Sequence, residues 1–155
     1  MTEFELEYDL LGSRLTVIGP ATLTYDRLGS RPVLLGALTL GYDTLGVRLS
    51  SIGDAVIEYD RLGNRPRTLG AWALEYDMLG SRLRRVGPHE VTYKMLGSRV
   101  HTVGPMTLSY DRLGSRPKRV DVPGEHNTLP EEYLVALFLV LHEQHRRDQA
   151  RRRSS

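Results

Sequence analysis

The chain has 155 residues, 40% of them apolar and 26% charged, with 21 lysines and arginines against 19 aspartates and glutamates. That is the size and composition of one globular domain rather than a disordered segment, and a net charge of +2 gives little whole-molecule attraction for nucleic acid. With no cysteine, disulfide scaffolds, thiolate zinc sites and thiol nucleophiles are excluded.

Residues 1–7 are acidic and alternate in polarity, the opposite of a signal peptide. The longest apolar run, 133–141, has nine residues, far short of the ~20 needed to span a bilayer. The expectation is a cytoplasmic protein with no transmembrane segment.

From residue 8 to residue 116 the chain repeats itself every 17 residues. Tyrosines stand at Tyr8, Tyr25, Tyr42, Tyr59, Tyr76, Tyr93 and Tyr110, and a Leu-Gly pair follows each three residues later, from Leu11-Gly12 to Leu113-Gly114. Two residues beyond that glycine comes an arginine: Arg14, Arg31, Arg48, Arg65, Arg82, Arg99 and Arg116. A second glycine recurs in six copies, at Gly19, Gly36, Gly53, Gly70, Gly87 and Gly104. A fixed period in seven copies marks a repeat architecture.

Upstream of each tyrosine, apolar and polar residues alternate, as in Thr22-Leu23-Thr24-Tyr25, the pattern of a half-buried strand. The Leu-Gly pair supplies the conformational tolerance of a tight hairpin turn. A second short strand follows, and the second glycine, often before proline (Gly19-Pro20, Gly87-Pro88, Gly104-Pro105), turns the chain back. Each repeat is thus expected to be a β-hairpin with strands of about five residues, giving about 14 strands in all. Pro32, Pro66 and Pro117 should mark strand beginnings or bulges. The Tyr-Asp-x-x-Gly-x-Arg core, clearest in Tyr59-Asp60-Arg61-Leu62-Gly63-Asn64-Arg65, is similar to the YD repeats of RHS and teneurin shell proteins. It covers about seven positions per repeat, with a shorter period than that family's, and is read as shared turn chemistry.

Residues 121–128 read as a linker to a final helix over 129–145. Thr128-Leu129-Pro130-Glu131 has capping-box spacing, with proline in the first turn. The run 133–141 shows no polar stripe, and a helix apolar all round has to be enclosed. An 11-stranded can already holds a central helix, so 12–14 strands leave room for one. A helix of roughly 20 Å over 129–142 also matches a wall of five-residue strands about 16 Å high. On these units and this terminal helix the chain resembles, in architecture, the tubby-like barrels, including the LURP-one and phospholipid scramblase-like proteins. The resemblance implies a closed antiparallel barrel of about twelve strands around a hydrophobic helix. The chain has no run of carboxylates like the calcium loop attributed to scramblases. The expected fold is therefore mainly β with one C-terminal helix: a closed barrel of about 12–14 strands occupying 1–145, with 146–155 as a basic, disordered tail. The alternative is a β-solenoid with a helical cap.

Six Asp/Arg pairs, from Asp9/Arg14 to Asp111/Arg116, flank the same turn and suit cross-strand ion pairing. Recurrence in nearly every copy argues for structure rather than catalysis, and the sixth copy carries Lys94 in place of the acid. In a meandering barrel all Leu-Gly turns share one rim, where Arg27, Arg61, Lys94, Arg99 and Arg112 would gather. A helix entering at the other rim would deliver Arg146, Arg147, Arg151, Arg152 and Arg153 to the same end. Together they make a candidate surface for anions, lipid headgroups above all. Its alternative is a solvated tail.

His142-Glu143-Gln144-His145 lacks the i, i+4 histidines of a zinc-protease helix and is read as an exposed helix end. No Gly-x-Ser-x-Gly elbow is present. Trp72 stands where other copies carry small or polar residues and is read as packing or a contact point. A helix-filled barrel leaves no central pocket, so any small-molecule site would lie at a rim. The functional expectation is a non-enzymatic binding or scaffold module without cofactor or metal, partnered by an anionic lipid surface or a protein, with a monomer favoured. A self-associating structural repeat is the alternative, and nucleic-acid binding lacks the interleaved aromatics of single-strand binders.

Overall fold

The computed structural model describes residues 1–9, 14–27, 31–43, 48–61, 65–77, 82–95, 99–111 and 116–154, the last four of these by their backbone. The seven Leu-Gly turns expected from the repeat lie outside these residues. The strands are β1 (Thr2–Tyr8), β2 (Leu15–Ile18), β3 (Ala21–Tyr25), β4 (Pro32–Leu35), β5 (Leu38–Tyr42), β6 (Leu49–Ile52) and β7 (Ala55–Tyr59). They continue as β8 (Pro66–Leu69), β9 (Trp72–Tyr76), β10 (Leu83–Val86), β11 (His89–Tyr93), β12 (Val100–Val103), β13 (Met106–Tyr110) and β14 (Pro117–Val122), followed by helix α1 (Glu131–Ser154). Each strand pairs antiparallel with its chain neighbours, and β14 closes on β1 with Thr2 opposite Val122 and Phe4 opposite Val120. The result is a closed fourteen-strand barrel, not a solenoid. It has the barrel-plus-helix architecture of the tubby-like resemblance, with two strands more than the twelve implied.

Strand faces follow from two local devices. In the odd strands inward residues alternate regularly: in β7, Ala55, Ile57 and Tyr59 turn inward, and Val56 and Glu58 are exposed. The four-residue even strands from β4 to β12 bury their first and last residues instead, as Leu49 and Ile52 in β6 or Leu83 and Val86 in β10. Residues three apart lie on opposite faces of a regular strand. Here a bulge beside each tyrosine restores the inward direction: Thr24 pairs with Leu34 while Tyr25 pairs with Pro32, which leaves Val33 as the extra residue. Pro32, Pro66 and Pro117 each open a strand and sit opposite the bulge tyrosine, as their missing N–H requires.

The turns at Gly19, Gly36, Gly53, Gly70, Gly87 and Gly104 are two-residue loops, with Ile18 opposite Ala21 and Val86 opposite His89. At Gly87, φ is 59°, and no described non-glycine residue has positive φ. Glycine first with an ordinary second residue is the pattern of a type II′ turn, which accepts proline second. These six turns form one mouth of the barrel, and the tyrosines mark the opposite rim.

Inside, Leu6, Leu23, Leu40, Ile57, Leu74, Val91 and Leu108 form one buried ring, and Ile18, Leu35, Ile52, Leu69, Val86, Val103 and Val120 another. Helix α1 fills the space they enclose. Ala136, Leu137, Phe138, Leu139 and Val140 are all buried, and five consecutive positions cover every direction around a helix of 3.6 residues per turn. The absent polar stripe thus has its physical reason. The helix begins at Glu131 rather than 129, with the Leu134 N–H donating to the Pro130 carbonyl at 2.9 Å. It continues past the expected boundary at 145 to Ser154, so the expected tail is helical over 146–154. That segment, with five arginines and no glycine or proline, favours the helix.

The outer wall is polar and carries cross-strand ion pairs such as Arg84–Glu75 at 2.8 Å and Arg119–Glu3 at 3.8 Å. The described strands have four to seven residues. Among the described residues no helix is long and apolar enough to cross a membrane.

Candidate anion-binding rim

The rim opposite the glycine turns is built from the repeat's own Tyr, Asp and Arg. Each tyrosine hydroxyl donates to a backbone carbonyl one hairpin back: Tyr25 to Leu15 at 2.7 Å, Tyr42 to Pro32 at 2.6 Å, Tyr59 to Leu49 at 2.6 Å. Tyr8 completes the circle by donating to Pro117 at 2.9 Å. The same tyrosines carry the guanidinium of that preceding hairpin on their faces. Arg48 lies 4.3 Å from the Tyr59 ring centre and Arg82 4.2 Å from that of Tyr93, while Arg116 lies 4.3 Å from Tyr8 across the barrel's closure. Burial pushes the phenols of Tyr25, Tyr42, Tyr59 and Tyr110 up to about 12, so they remain neutral donors.

Arg14, Arg31, Arg48, Arg65 and Arg82 also turn back to their own hairpin's aspartate, as Arg14 Nε to Asp9 Oδ2 at 2.7 Å and Arg48 Nε to Asp43 Oδ2 at 2.8 Å. The backbone locks the same pair, the Asp9 N–H donating to the Arg14 carbonyl at 2.9 Å. Of the six ion pairs expected from the spacing, the first five are present. At such half-exposed positions each pair contributes about 0.2–1 kcal/mol, and the cation–π stack about 0.5–1 kcal/mol more. The repeat arginines are thus engaged in the belt.

The sixth copy departs from this scheme. Lys94 lies 6.0 Å and Arg99 4.9 Å from the Tyr110 ring centre, two cations where the first five copies hold an ion pair. Beside them Met95 is 99% exposed. Arg27 and Arg61 are exposed on the same rim, and Arg112 falls outside the described residues.

Helix α1 arrives at this rim as the chain direction requires. Glu143, only 8% exposed, accepts from Arg146 Nη1 at 2.8 and 3.0 Å. Both lie within electrostatic reach of Tyr59 and Tyr76, and Arg147 reaches Tyr93. Burial holds the Glu143 carboxyl above its ordinary range, against the pull of Arg146. Arg147 also contacts the Gln144 amide oxygen. Arg151, Arg152 and Arg153 stand on the last turn of the helix, one to two turns beyond. The rim and helix end named from the sequence are therefore at the same end of the barrel.

The chain matches no protein-family model, no curated protein and no solved structure.

The motif 142–145 is only in part the exposed end expected of it: His145 is exposed, whereas Glu143 is buried and His142 half-buried. His142 stacks on Phe138 with centroids 5.4 Å apart, and burial pulls its imidazole down to about 4. Among the described residues, no three metal-ligating side chains cluster. The tyrosine belt was missed by sequence reasoning. Its only signal was the invariance of tyrosine itself, because its partners lie 10 or 11 residues back, in a different hairpin.

Proposed function

We propose that the protein is a non-enzymatic binding or scaffold module of the cytoplasm that associates with anionic membrane surfaces through the tyrosine rim and the emerging helix. The observation that carries the reading is the direction of α1, which brings Arg146 and Arg147 to the rim bearing Arg27, Arg61, Lys94 and Arg99. The fully exposed Met95 next to Lys94 adds an apolar contact suited to the headgroup boundary. Each basic residue near an anionic leaflet contributes about 1 kcal/mol. Four or five engaged together give an affinity between about millimolar and 0.1 mM, a weak and salt-sensitive association.

The test is flotation with vesicles containing phosphatidylserine or only phosphatidylcholine, at low and high salt. The full chain is compared with a variant carrying Gln in place of Arg27, Arg61, Arg151, Arg152 and Arg153. Binding to the anionic vesicles at low salt, lost in the variant and at high salt, is expected. No flotation, or flotation equal in the variant, overturns the reading. So does displacement by duplex DNA as readily as by excess anionic vesicles, which would mark a general polyanion surface.

A further inference from the structure

The opposite mouth of the barrel contains a cleft of about 700 Å³ between α1 and three successive glycine turns. Its origin is geometric. Eleven strands already enclose one helix, so fourteen leave surplus width. Helix α1 takes up that surplus unevenly, with Tyr133 packed 5.5 Å from His89 on β11. Segment 123–130 ties down near β1, where the Thr2 hydroxyl donates to the Gly124 carbonyl at 2.7 Å and accepts from the His126 N–H at 3.0 Å. The arc from β4 to β9 stays open.

The turns on that arc differ from the others. Proline follows the glycine at Gly19, Gly87 and Gly104, whereas Ala37, Asp54 and Ala71 follow Gly36, Gly53 and Gly70, and these three turns line the cleft. Leu38, Ile52, Leu69 and Val135 supply apolar surface, and Trp72, the chain's single tryptophan, supplies an aromatic wall. The ionisable lining is Asp54, Glu131 and Glu132, with no basic side chain among the lining residues.

The charge arithmetic favours a cation. The helix N-terminus carries roughly half a positive charge, which two glutamates outweigh. Behind Glu132 stands His89, 5% exposed, whose Nε2 has no hydrogen-bond partner and lies 3.3 Å from Glu132 Oε1. Even protonated it offsets one carboxylate of three. The volume lies within the roughly 300–1,000 Å³ range of small-ligand sites, and an indole beside carboxylates suits an organic ammonium.

We propose that this cleft binds small organic cations with an apolar body, the ammonium lying among Asp54, Glu131 and Glu132 and the body against Trp72, Leu38 and Val135. This site is independent of the anion-binding rim at the other end of the barrel. The probe is octylammonium below its micellar concentration, with octanoate and octanol as matched controls, read by Trp72 fluorescence. Saturable binding of octylammonium at least tenfold tighter than either control is expected. A variant with Asp54→Asn, Glu131→Gln and Glu132→Gln should lose tenfold or more of that affinity while unfolding in urea as a cooperative fold. A second variant, Val135→Phe, should weaken binding by filling the cleft with its carboxylates intact. Equal responses to all three probes, or undiminished octylammonium affinity in the folded carboxylate variant, overturns the proposal.

Discussion

Leu137 and Leu139 lie two residues apart on α1, about 200° around its axis, and both are 0% exposed. A helix lying on a sheet buries one such position and exposes the other. An enclosed helix buries both. Leu→Ala at a fully buried site costs about 2–5 kcal/mol, the transfer of the lost atoms plus the cavity left behind. The rings of Leu, Ile and Val around α1 belong to a closed hydrogen-bonded wall, which cannot collapse inward freely, so each variant should lose about 3 kcal/mol or more. For a chain of this length that lowers Tm by about 6–12 °C. Urea unfolding followed by far-ultraviolet circular dichroism measures both losses, provided the slope with denaturant is unchanged. If either Leu137→Ala or Leu139→Ala lies within about 0.5 kcal/mol of the parent, the helix is not enclosed and the reasoning fails.

Acidification tests the helix end. The depressed imidazole of His142 means that between about pH 6.5 and 4 the unfolded chain binds a proton that the folded chain refuses, so stability falls as pH drops through that window, by at most about 1.4 kcal/mol per unit. Glu143 acts with opposite sign, since its raised carboxyl keeps a proton longer in the folded state. The quantity to compare is therefore the slope of stability with pH in the parent and in His142→Phe, which should lose the acid-side fall; identical slopes refute the assignment. Gly87→Ala places a Cβ 2.5 Å from Trp72 Cγ at φ 59°, whereas Gly36→Ala has the same φ with its nearest contact at 3.5 Å. Both should lose about 1–2 kcal/mol to left-handed backbone, Gly87→Ala distinctly more and with altered Trp72 fluorescence, and equal losses would contradict the contact. In the belt, a double-mutant cycle of Arg48→Gln and Tyr59→Leu should show a coupling of about 0.5–1 kcal/mol; strict additivity would remove the stack's energetic role.

Much of this fold was readable because each repeat states its strands locally. Alternation before each tyrosine and glycine after the second strand define a hairpin without reference to the other copies. Enclosure of the helix was legible from what 133–141 lacks, and the meander then dictates the end at which Arg146 and Arg147 emerge. The tyrosine belt was not legible, since Tyr59 donates to Leu49 and supports Arg48 across a hairpin boundary that period alone leaves undefined. Nor was the helix end legible, because His145 and Arg146 look like a solvated terminus, while Glu143 is in fact buried against Arg146. The cleft depends on a number, fourteen strands around one helix, and on which three turns lack proline, and neither has meaning before the barrel closes.

Native-state hydrogen exchange along α1 tests the central claim most directly. Amides of 134–141, inside the barrel, should exchange only through opening of the whole domain, with a free energy near that of global unfolding. Amides of 148–154, beyond the rim, should exchange orders of magnitude faster. Fast exchange over 134–141, or equal protection along the entire helix, would contradict a barrel that encloses its helix and presents the helix end at one rim.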